Sequence, residues 1–279
     1  MAAFPQSINV RARAMECLSK LPALSPLLMR LIQTMLADTD EISVARVAQL
    51  IERDAVIAGN ILGVVNSPVC QRRTAIQSIR HAIVLLGLTK VRNLALSMSM
   101  NHIWAKAKGA PDWSMFEFNQ HSVAMAVLCD LLTHQLRVIG GDVTFLAGLL
   151  HDLGRLLIAV GLPAQHSVVA RLRGAEQSSL PQCERSVLGF DHADLSGDVL
   201  ATWRLPLALQ TAVRFHHAPE NDHILANPGE FRLSQILNAA ELYIEDNVPD
   251  GLQSLGLGDR LENILAEFDA EAKQITCLF

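Results

Sequence analysis

The run from Phe145 to Leu153, Phe-Leu-Ala-Gly-Leu-Leu-His-Asp-Leu, constrains the fold more than any other stretch of the chain. It is apolar enough to lie in a protein core, yet His151 and Asp152 stand within it. Buried polar groups without partners are costly, so other elements must supply partners for this pair. Two interpretations are open at this point: the pair is a hydrogen-bonded structural plug, or it holds a metal ion.

Apolar residues recur at helical spacing along nearly the whole chain, and alternating patterns typical of strands are scarce. Hydrophobic residues make up 50% of the sequence but aromatic residues only 5%, which suits helices packed on helices. Ser43, Asp54, and either Asp142 or Thr144 stand where N-terminal caps are expected. The sequence therefore predicts an all-α fold with helices over residues 27–36, 43–53, 55–65, 78–86, 89–104, 114–136, 144–160, 164–173, 180–188, 194–203, 205–215, 230–245 and 261–268.

Composition argues against several classes of protein. The net charge of −5 is unfavourable for broad nucleic-acid binding, which usually needs a basic face. The five cysteines form no CxxC pair, which indicates reduced thiols in a cytoplasmic protein. Residues 1–10 do not form a secretory signal, and the uncharged runs are too short or too interrupted to span a bilayer. We therefore expect a cytoplasmic protein without a membrane partner.

A change in composition near residue 110 predicts a domain boundary. Two histidines precede the polar segment Lys106–Asp112, and eight follow it. We expect an N-terminal extension over residues 1–14, one helical lobe over 15–110 and a second over 111–279, with the two lobes packed together.

The second lobe carries metal-capable side chains on five separate segments, which are His121, His151-Asp152, His192, His216-His217 and Glu241. Imidazole and carboxylate together suit a divalent Mn, Fe, Zn, Ni or Mg ion better than a soft metal. Such an ion lowers the pKa of a bound water and can supply hydroxide for attack on a phosphate ester. The pattern is consistent with a metal site, with occupancy left open.

The order of these motifs resembles the HDOD domain of the HD superfamily of metal-dependent phosphohydrolases, over roughly residues 15 to 245. In the first half the resemblance rests on Leu21-Pro22-Ala23-Leu24, Ile51-Glu52-Arg53-Asp54-Ala55, Asn66-Ser67-Pro68, Ile76-Gln77-Ser78-Ile79, Ala82-Ile83 and Leu86-Gly87. In the second half it rests on His121-Ser122, the run Phe145 to Gly154, Trp203-Arg204-Leu205-Pro206 and His216-His217. The resemblance implies an all-helical fold whose C-terminal lobe is an HD-type bundle, and a role in bacterial signal transduction. It also implies a site that in most members is not known to catalyse a reaction.

The resemblance further implies roles for particular residues. The metal ligands would be His121, His151, Asp152 and, by register, Glu241, where active relatives have aspartate. A second metal or a phosphate contact would involve His192, His216 and His217. If the protein is active, Asp152 and Arg155 would be catalytic.

Two departures from the active pattern bear on catalysis. Arg155 stands where active relatives usually have lysine. Ala218-Pro219-Glu220-Asn221 replaces the Gly-Tyr-Pro signature of one two-metal branch, so hydrolysis of cyclic-di-GMP is not expected.

Three hypotheses follow from the sequence. The leading one is a regulatory module that binds a signalling protein partner or a nucleotide-like ligand without turnover. The rival is a metal-dependent phosphohydrolase that uses His121, His151, Asp152 and Glu241. The third is an interaction scaffold in which the same residues bond only to one another.

Overall fold

The computed structural model describes residues 7–20, 25–36, 43–66, 75–104, 107–176, 178–246 and 248–276. Two motifs of the resemblance, Leu21-Pro22-Ala23-Leu24 and Ser67-Pro68, lie outside these residues. The described helices are α1 (Ser7–Lys20), α2 (Pro26–Leu36), α3 (Val44–Glu52), α4 (Ala55–Val65), α5 (Ile79–Leu86), α6 (Leu88–Trp104), α7 (Met115–Thr133), α8 (Thr144–Leu150), α9 (Leu153–Gly161), α10 (Pro163–Glu176), α11 (Leu180–Leu188), α12 (His192–Thr202), α13 (Leu207–Arg214), α14 (Leu233–Asp246), α15 (Asp250–Gln253) and α16 (Arg260–Thr276). The predicted all-α fold is confirmed.

Strand structure in the described residues is limited to one short parallel pair. Strand β1 (Val138–Ile139) pairs with β2 (Phe231–Arg232), in the register Val138 to Phe231 and Ile139 to Arg232. This pair joins the segment before α8 to the segment before α14. It therefore holds together the starts of α8, which leads into His151 and Asp152, and of α14, which carries Glu241.

The chain divides into two compact units, one made of residues 22–105 and 269–279, the other of residues 1–21 and 106–268. In the first unit, three helices begin directly after polar residues that cap their first turns. The side chains of Ser43, Asp54 and Ser78 accept hydrogen bonds from backbone N–H groups in the first turns of α3, α4 and α5. Gly87 ends α5 with a φ of 87°, a conformation that favours glycine. The predicted cap residues Ser43 and Asp54 are confirmed.

In the second unit, α7 packs on α8 and α14, while α9 packs on α12 and α1. Gly148 makes the contact between α7 and α8 possible, because a Cβ there would lie 2.6 Å from the backbone of Ala126. On the other side, Asp198 of α12 accepts hydrogen bonds from Arg11 of α1 and Arg214 of α13. These contacts fix the elements that surround the His151-Asp152 pair.

The single helix predicted over residues 144–160 is wrong in one respect, because it is interrupted at the polar pair. Helix α8 ends at Leu150 and α9 begins at Leu153, with His151 and Asp152 in the turn between them. In this turn both side chains contact His121 of α7, and Asp152 also contacts His192 of α12. Consecutive residues of a continuous helix would project about 100° apart. The predicted cap is also wrong: Val143 occupies the cap position, and the Thr144 hydroxyl donates to the Gly141 carbonyl at 2.7 Å.

One apolar stretch of the second unit bears on the expectation that no run spans a bilayer. Thr144–Gly161 has the length and hydropathy of a candidate span, but 83% of it is buried inside the protein. A buried core helix passes the same test of length and composition. The stretch is the core of the second unit, as its apolar sequence predicts.

Candidate metal centre

The seven predicted ligand residues converge on one centre in the second unit. His121 comes from the middle of α7, His151 and Asp152 from the turn before α9, and His192 from the first position of α12. His216 and His217 follow α13, and Glu241 projects from α14. His151, Asp152, His192, His216 and Glu241 are buried, whereas the side chains of His121 and His217 are 15% and 22% exposed. Among these seven residues, His121 and His217 are the most exposed to solvent.

Three of the buried histidines are oriented by bonds on their outer side. His151 Nδ1 donates to the Gly148 carbonyl at 2.7 Å, and His216 Nδ1 donates to the Val213 carbonyl at 2.6 Å. His192 Nδ1 bonds the Glu184 carboxylate at 2.6 Å. Because carbonyl and carboxylate oxygens only accept here, each Nδ1 carries the proton and each Nε2 points inward. Metal-ligating histidines have this arrangement.

The inward atoms are spaced as ligands of one or two ions would be. His192 Nε2 lies 3.2 Å from Asp152 Oδ1, and His216 Nε2 lies 3.2 Å from Glu241 Oε2. Two contacts join imidazole nitrogens directly: His121 Nε2 to His151 Nε2 at 3.1 Å, and His217 Nε2 to His192 Nε2 at 2.8 Å. Neighbouring ligand atoms around an ion with bonds of about 2.1 Å lie about 3.0–3.4 Å apart. Three of these four spacings fit, and the 2.8 Å contact between His217 and His192 is shorter.

Three inward atoms are buried and lack a hydrogen-bond partner: Asp152 Oδ1, His216 Nε2 and Glu241 Oε2. Leaving a buried polar atom unsatisfied costs about 1–3 kcal/mol each, and more if it is charged. All three belong to groups of candidate ligand atoms that lie within 4.8 Å of one another, one group being His151, Asp152, His216 and Glu241. A divalent cation at this position would satisfy all three atoms at once, so the residues fit a metal.

The protonation states of two of the three buried histidines favour ligation. Burial lowers the pKa of His151 well below its ordinary value and that of His216 to about 4, so both rings are neutral at pH 7. His192 differs, because burial opposes its charge but the carboxylates of Glu184 and Asp152 raise its pKa well above the usual range. A cation at the centre would compete with the proton on His192 Nε2.

The two carboxylates titrate in opposite directions. Burial opposes ionisation of Asp152, but His151, Arg155 and His192 hold its pKa well below the ordinary value. Burial, reinforced by repulsion from Asp152, raises the pKa of Glu241 well above its ordinary value. Glu241 therefore binds a proton more readily than a free carboxylate does, and a bound cation would compete with that proton.

Sequence reasoning missed two carboxylates at this centre. Glu184 of α11 is buried and accepts from both the backbone N–H and the Nδ1 of His192, at 2.8 and 2.6 Å. Glu245 lies one turn after Glu241 and accepts from Arg155 at 3.3 Å. The i, i+4 spacing of Glu241 and Glu245 was available in the sequence as a signal. Nothing in the sequence around Glu184 indicates its partner, because the contact joins two helices.

A side chain at Gly154, two residues after Asp152, would clash with the backbone of α12. A Cβ on Gly154 would lie 2.0 Å from the carbonyl oxygen of His192. The Gly154 N–H donates to the Ser196 hydroxyl at 2.8 Å. This close approach of α9 to the start of α12 brings His192 beside Asp152.

Two clefts reach the centre from solvent. The larger, of about 660 Å³, is lined by His217, Glu241, Asn238, Arg173 and Arg185, among others. The smaller, of about 330 Å³, is lined by His121, Arg155, Trp113, Phe118 and His166, among others. Arg173 and Glu245 line both clefts. An anionic ligand that entered by either cleft would meet an arginine beside the proposed ligands.

Comparison with known proteins identifies the family. The family model of the HDOD domain matches residues 21–219. This chain belongs to the HDOD domain family. No curated protein sequence matches it.

Solved structures agree with this assignment at the level of the fold. An HDOD domain protein of unknown function from Geobacter sulfurreducens is 20% identical, with a TM-score of 0.71. The match covers 98% of this chain and 99% of that protein. A Shewanella amazonensis protein named "Putative phosphohydrolase" is 20% identical, with a TM-score of 0.72 and coverage of 96% and 98%. A "Putative signal transduction protein" from Marinobacter aquaeolei is 17% identical, with a TM-score of 0.74 and coverage of 99% and 68%. At these identities the likeness shows the HDOD fold alone.

Proposed function

We propose that this HDOD protein is a cytoplasmic signalling module whose centre binds a divalent metal and, through it, a phosphate-bearing ligand. The observation that carries the proposal is the set of three buried atoms without hydrogen-bond partners, Asp152 Oδ1, His216 Nε2 and Glu241 Oε2, at one focus. The outer-side bonds of His151, His192 and His216 support it.

The chain's own residues would hold the ligand around the metal. When bound, a divalent metal supplies a Lewis acid that phosphate oxygens can coordinate. Arg173 and Arg185, which line the larger cleft, are cations that favour an anion there. Phosphate carries both the charge and the acceptor oxygens that these residues recognise. The ligand class is therefore a phosphate ester or a nucleotide-like phosphate.

The signalling role rests on the family and not on the centre. One fold neighbour is named as a signal transduction protein. We propose that the phosphate-bearing ligand acts as the signal and that a partner protein reads the bound state. No disulfide joins the cysteines among the described residues, which supports a reducing, cytoplasmic location.

Metal analysis tests this function first. Protein purified without chelator or nickel resin is expected to retain a transition metal, and His151→Ala combined with Asp152→Ala should lose it. His134→Ala is the matched control, because His134 bonds Asp130 at the end of α7, away from the centre. Metal below about a tenth of an equivalent, unresponsive to added Mn²⁺ or Zn²⁺, would refute the proposal.

A second candidate function is hydrolysis of a phosphate ester at the same centre. The observation that favours it is His121, which lines the smaller cleft and whose pKa is lowered by burial. A neutral imidazole there would help His151, Asp152 and Glu241 to hold the divalent metal that such a hydrolysis needs. A panel of phosphomonoesters, phosphodiesters and cyclic dinucleotides, incubated with metal-loaded protein, separates the two candidates. Turnover that is lost in His121→Ala but kept in His134→Ala would favour hydrolysis, and binding without product would favour the signalling module.

A further inference from the structure

The centre has two sides, divided by the two oxygens of Asp152. Oδ1 faces His192 Nε2 at 3.2 Å, whereas Oδ2 lies 3.6 Å from both His121 Nε2 and His151 Nε2. A two-metal arrangement would place one ion against each oxygen. The sequence resemblance leaves open whether both positions exist in this chain.

The two sides differ in how their polar atoms are satisfied. On the Oδ2 side, Arg155 Nη1 donates to Asp152 Oδ2 at 2.7 Å. His121 Nε2 lies 3.1 Å from His151 Nε2, and because His151 carries its proton on Nδ1, His121 is the donor. Asp152 Oδ1, on the other side, is buried without a hydrogen-bond partner. The remaining orphaned atoms, His216 Nε2 and Glu241 Oε2, lie 3.2 Å from each other and bond no donor of the Oδ2 side.

Arg155 is held in place by a second carboxylate. The same Nη1 atom lies 3.3 Å from Glu245 Oε1, so the guanidinium bridges Asp152 and Glu245. A guanidinium is always charged in proteins, and this one donates to the Asp152 oxygen that an ion beside His121 and His151 would use. It supplies a single positive charge but cannot coordinate a water or a phosphate as a metal does.

We infer that Arg155 takes the place of the metal ion beside His121 and His151, so that the centre holds a single metal ion on the Oδ1 side of Asp152. This inference rests on the proposed metal centre and adds its stoichiometry. A phosphate-bearing ligand would then be held between one metal ion and a fixed arginine. With one metal, the centre would lack the two-metal clamp on the attacking and leaving oxygens of a phosphate ester.

The test is metal stoichiometry by calorimetric titration with Mn²⁺ and by elemental analysis, together with the Mn²⁺ electron paramagnetic resonance spectrum. The wild-type protein is expected to bind one equivalent and to give the signal of an isolated ion. Arg155→Ala is expected to gain a second site, at least tenfold tighter than any second site of the wild type, with the signal of a coupled ion pair. His121→Ala in the Arg155→Ala background should return the protein to one equivalent.

Arg173→Ala is the matched control, because Arg173 also reaches Glu245, at 3.8 Å, and lines the same cleft but has no contact with Asp152. It should leave the stoichiometry at one. If Arg155→Ala does not fold, Arg155→Gln removes the charge but keeps a donor for Asp152, and the same second site is expected.

The outcomes separate the inference from the proposed function. No metal in the wild type would refute the proposed function and the inference together. Two equivalents in the wild type, or one equivalent in a folded Arg155→Ala or Arg155→Gln variant, would overturn the inference and leave the metal centre standing.

Discussion

Replacing Gly154 with alanine should destabilise the protein and damage its metal centre together. The added Cβ would lie 2.0 Å from the His192 carbonyl oxygen, whereas real Cβ atoms essentially never come within 3.0 Å of a heavy atom from another part of the chain. The start of α12 would have to move by at least about 1 Å, and the obstacle is backbone, which cannot rotate away. Overpacking of this kind costs 1–3 kcal/mol and occasionally more, so we expect about 3 kcal/mol. For a unit of this size the melting temperature should fall by about 6–12 °C.

The same displacement carries His192 away from Asp152. Their contact, 3.2 Å between Nε2 and Oδ1, would lengthen, and metal affinity should fall at least about tenfold. Thermal unfolding of the metal-free protein and calorimetric titration with Mn²⁺ measure the two effects. Gly174→Ala is the control, because Gly174 lies in α10 with no atom within 4 Å of its would-be Cβ, and alanine there should be neutral or stabilising by up to about 1 kcal/mol. If Gly154→Ala melts within about 2 °C of Gly174→Ala and binds metal normally, the argument from close approach is wrong.

Three further substitutions probe the centre and the other unit. Glu184→Ala should lower stability by about 2–5 kcal/mol and metal affinity by about 10–100-fold, because two donors of His192 lose their acceptor. Urea unfolding and Mn²⁺ titration measure the two losses, and Glu184→Gln should recover part of both. In the metal-free protein, Glu241→Gln should become progressively more stable relative to the wild type as the pH rises above 4.5. The raised folded-state pKa of Glu241 gives the wild type stability that is present at low pH and lost when the group ionises. A constant difference in unfolding free energy between the two proteins from pH 5 to 8 would contradict this. Asn66→Ala should lower the unfolding free energy by about 1–3 kcal/mol, because the Asn66 amide bonds both the N–H and the carbonyl of Ile76. It should leave metal affinity unchanged, and a changed affinity would show that the effect is not local.

The single-metal inference gives a physical reason for a departure visible in the sequence. Arg155 stands where active relatives usually have lysine, and the structure pairs it with both Asp152 and Glu245. A guanidinium offers several donors in a plane, so it can bridge two carboxylates in a way that an ammonium cannot match. The bridge fixes the cation beside Asp152 Oδ2. A lysine there would be freer to leave the carboxylate and reach a phosphate.

The sequence alone determined the helical fold and the identity of the seven side chains at the centre. Helix periodicity and local caps such as Ser43 and Asp54 depend on residues near in sequence, so they can be predicted without tertiary information. The convergence of His121 and Glu241 was expected from the order of motifs, although their roles as metal ligands stay predictions. The sequence also placed His151 and Asp152 correctly in the core, because an apolar run around them must be buried.

Only the tertiary structure decided how those side chains are used. The break between α8 and α9 turns His151 and Asp152 toward the same centre, and no local signal marks it because the apolar periodicity runs through the break. Glu184 contributes through a contact between helices, and such contacts have no trace in the local pattern. Which oxygen of Asp152 bonds Arg155, and which is left for a metal, depends on distances of a few tenths of an ångström between four helices. The position of His192 is set by packing at Gly154, and packing between helices lies beyond what residue order can specify.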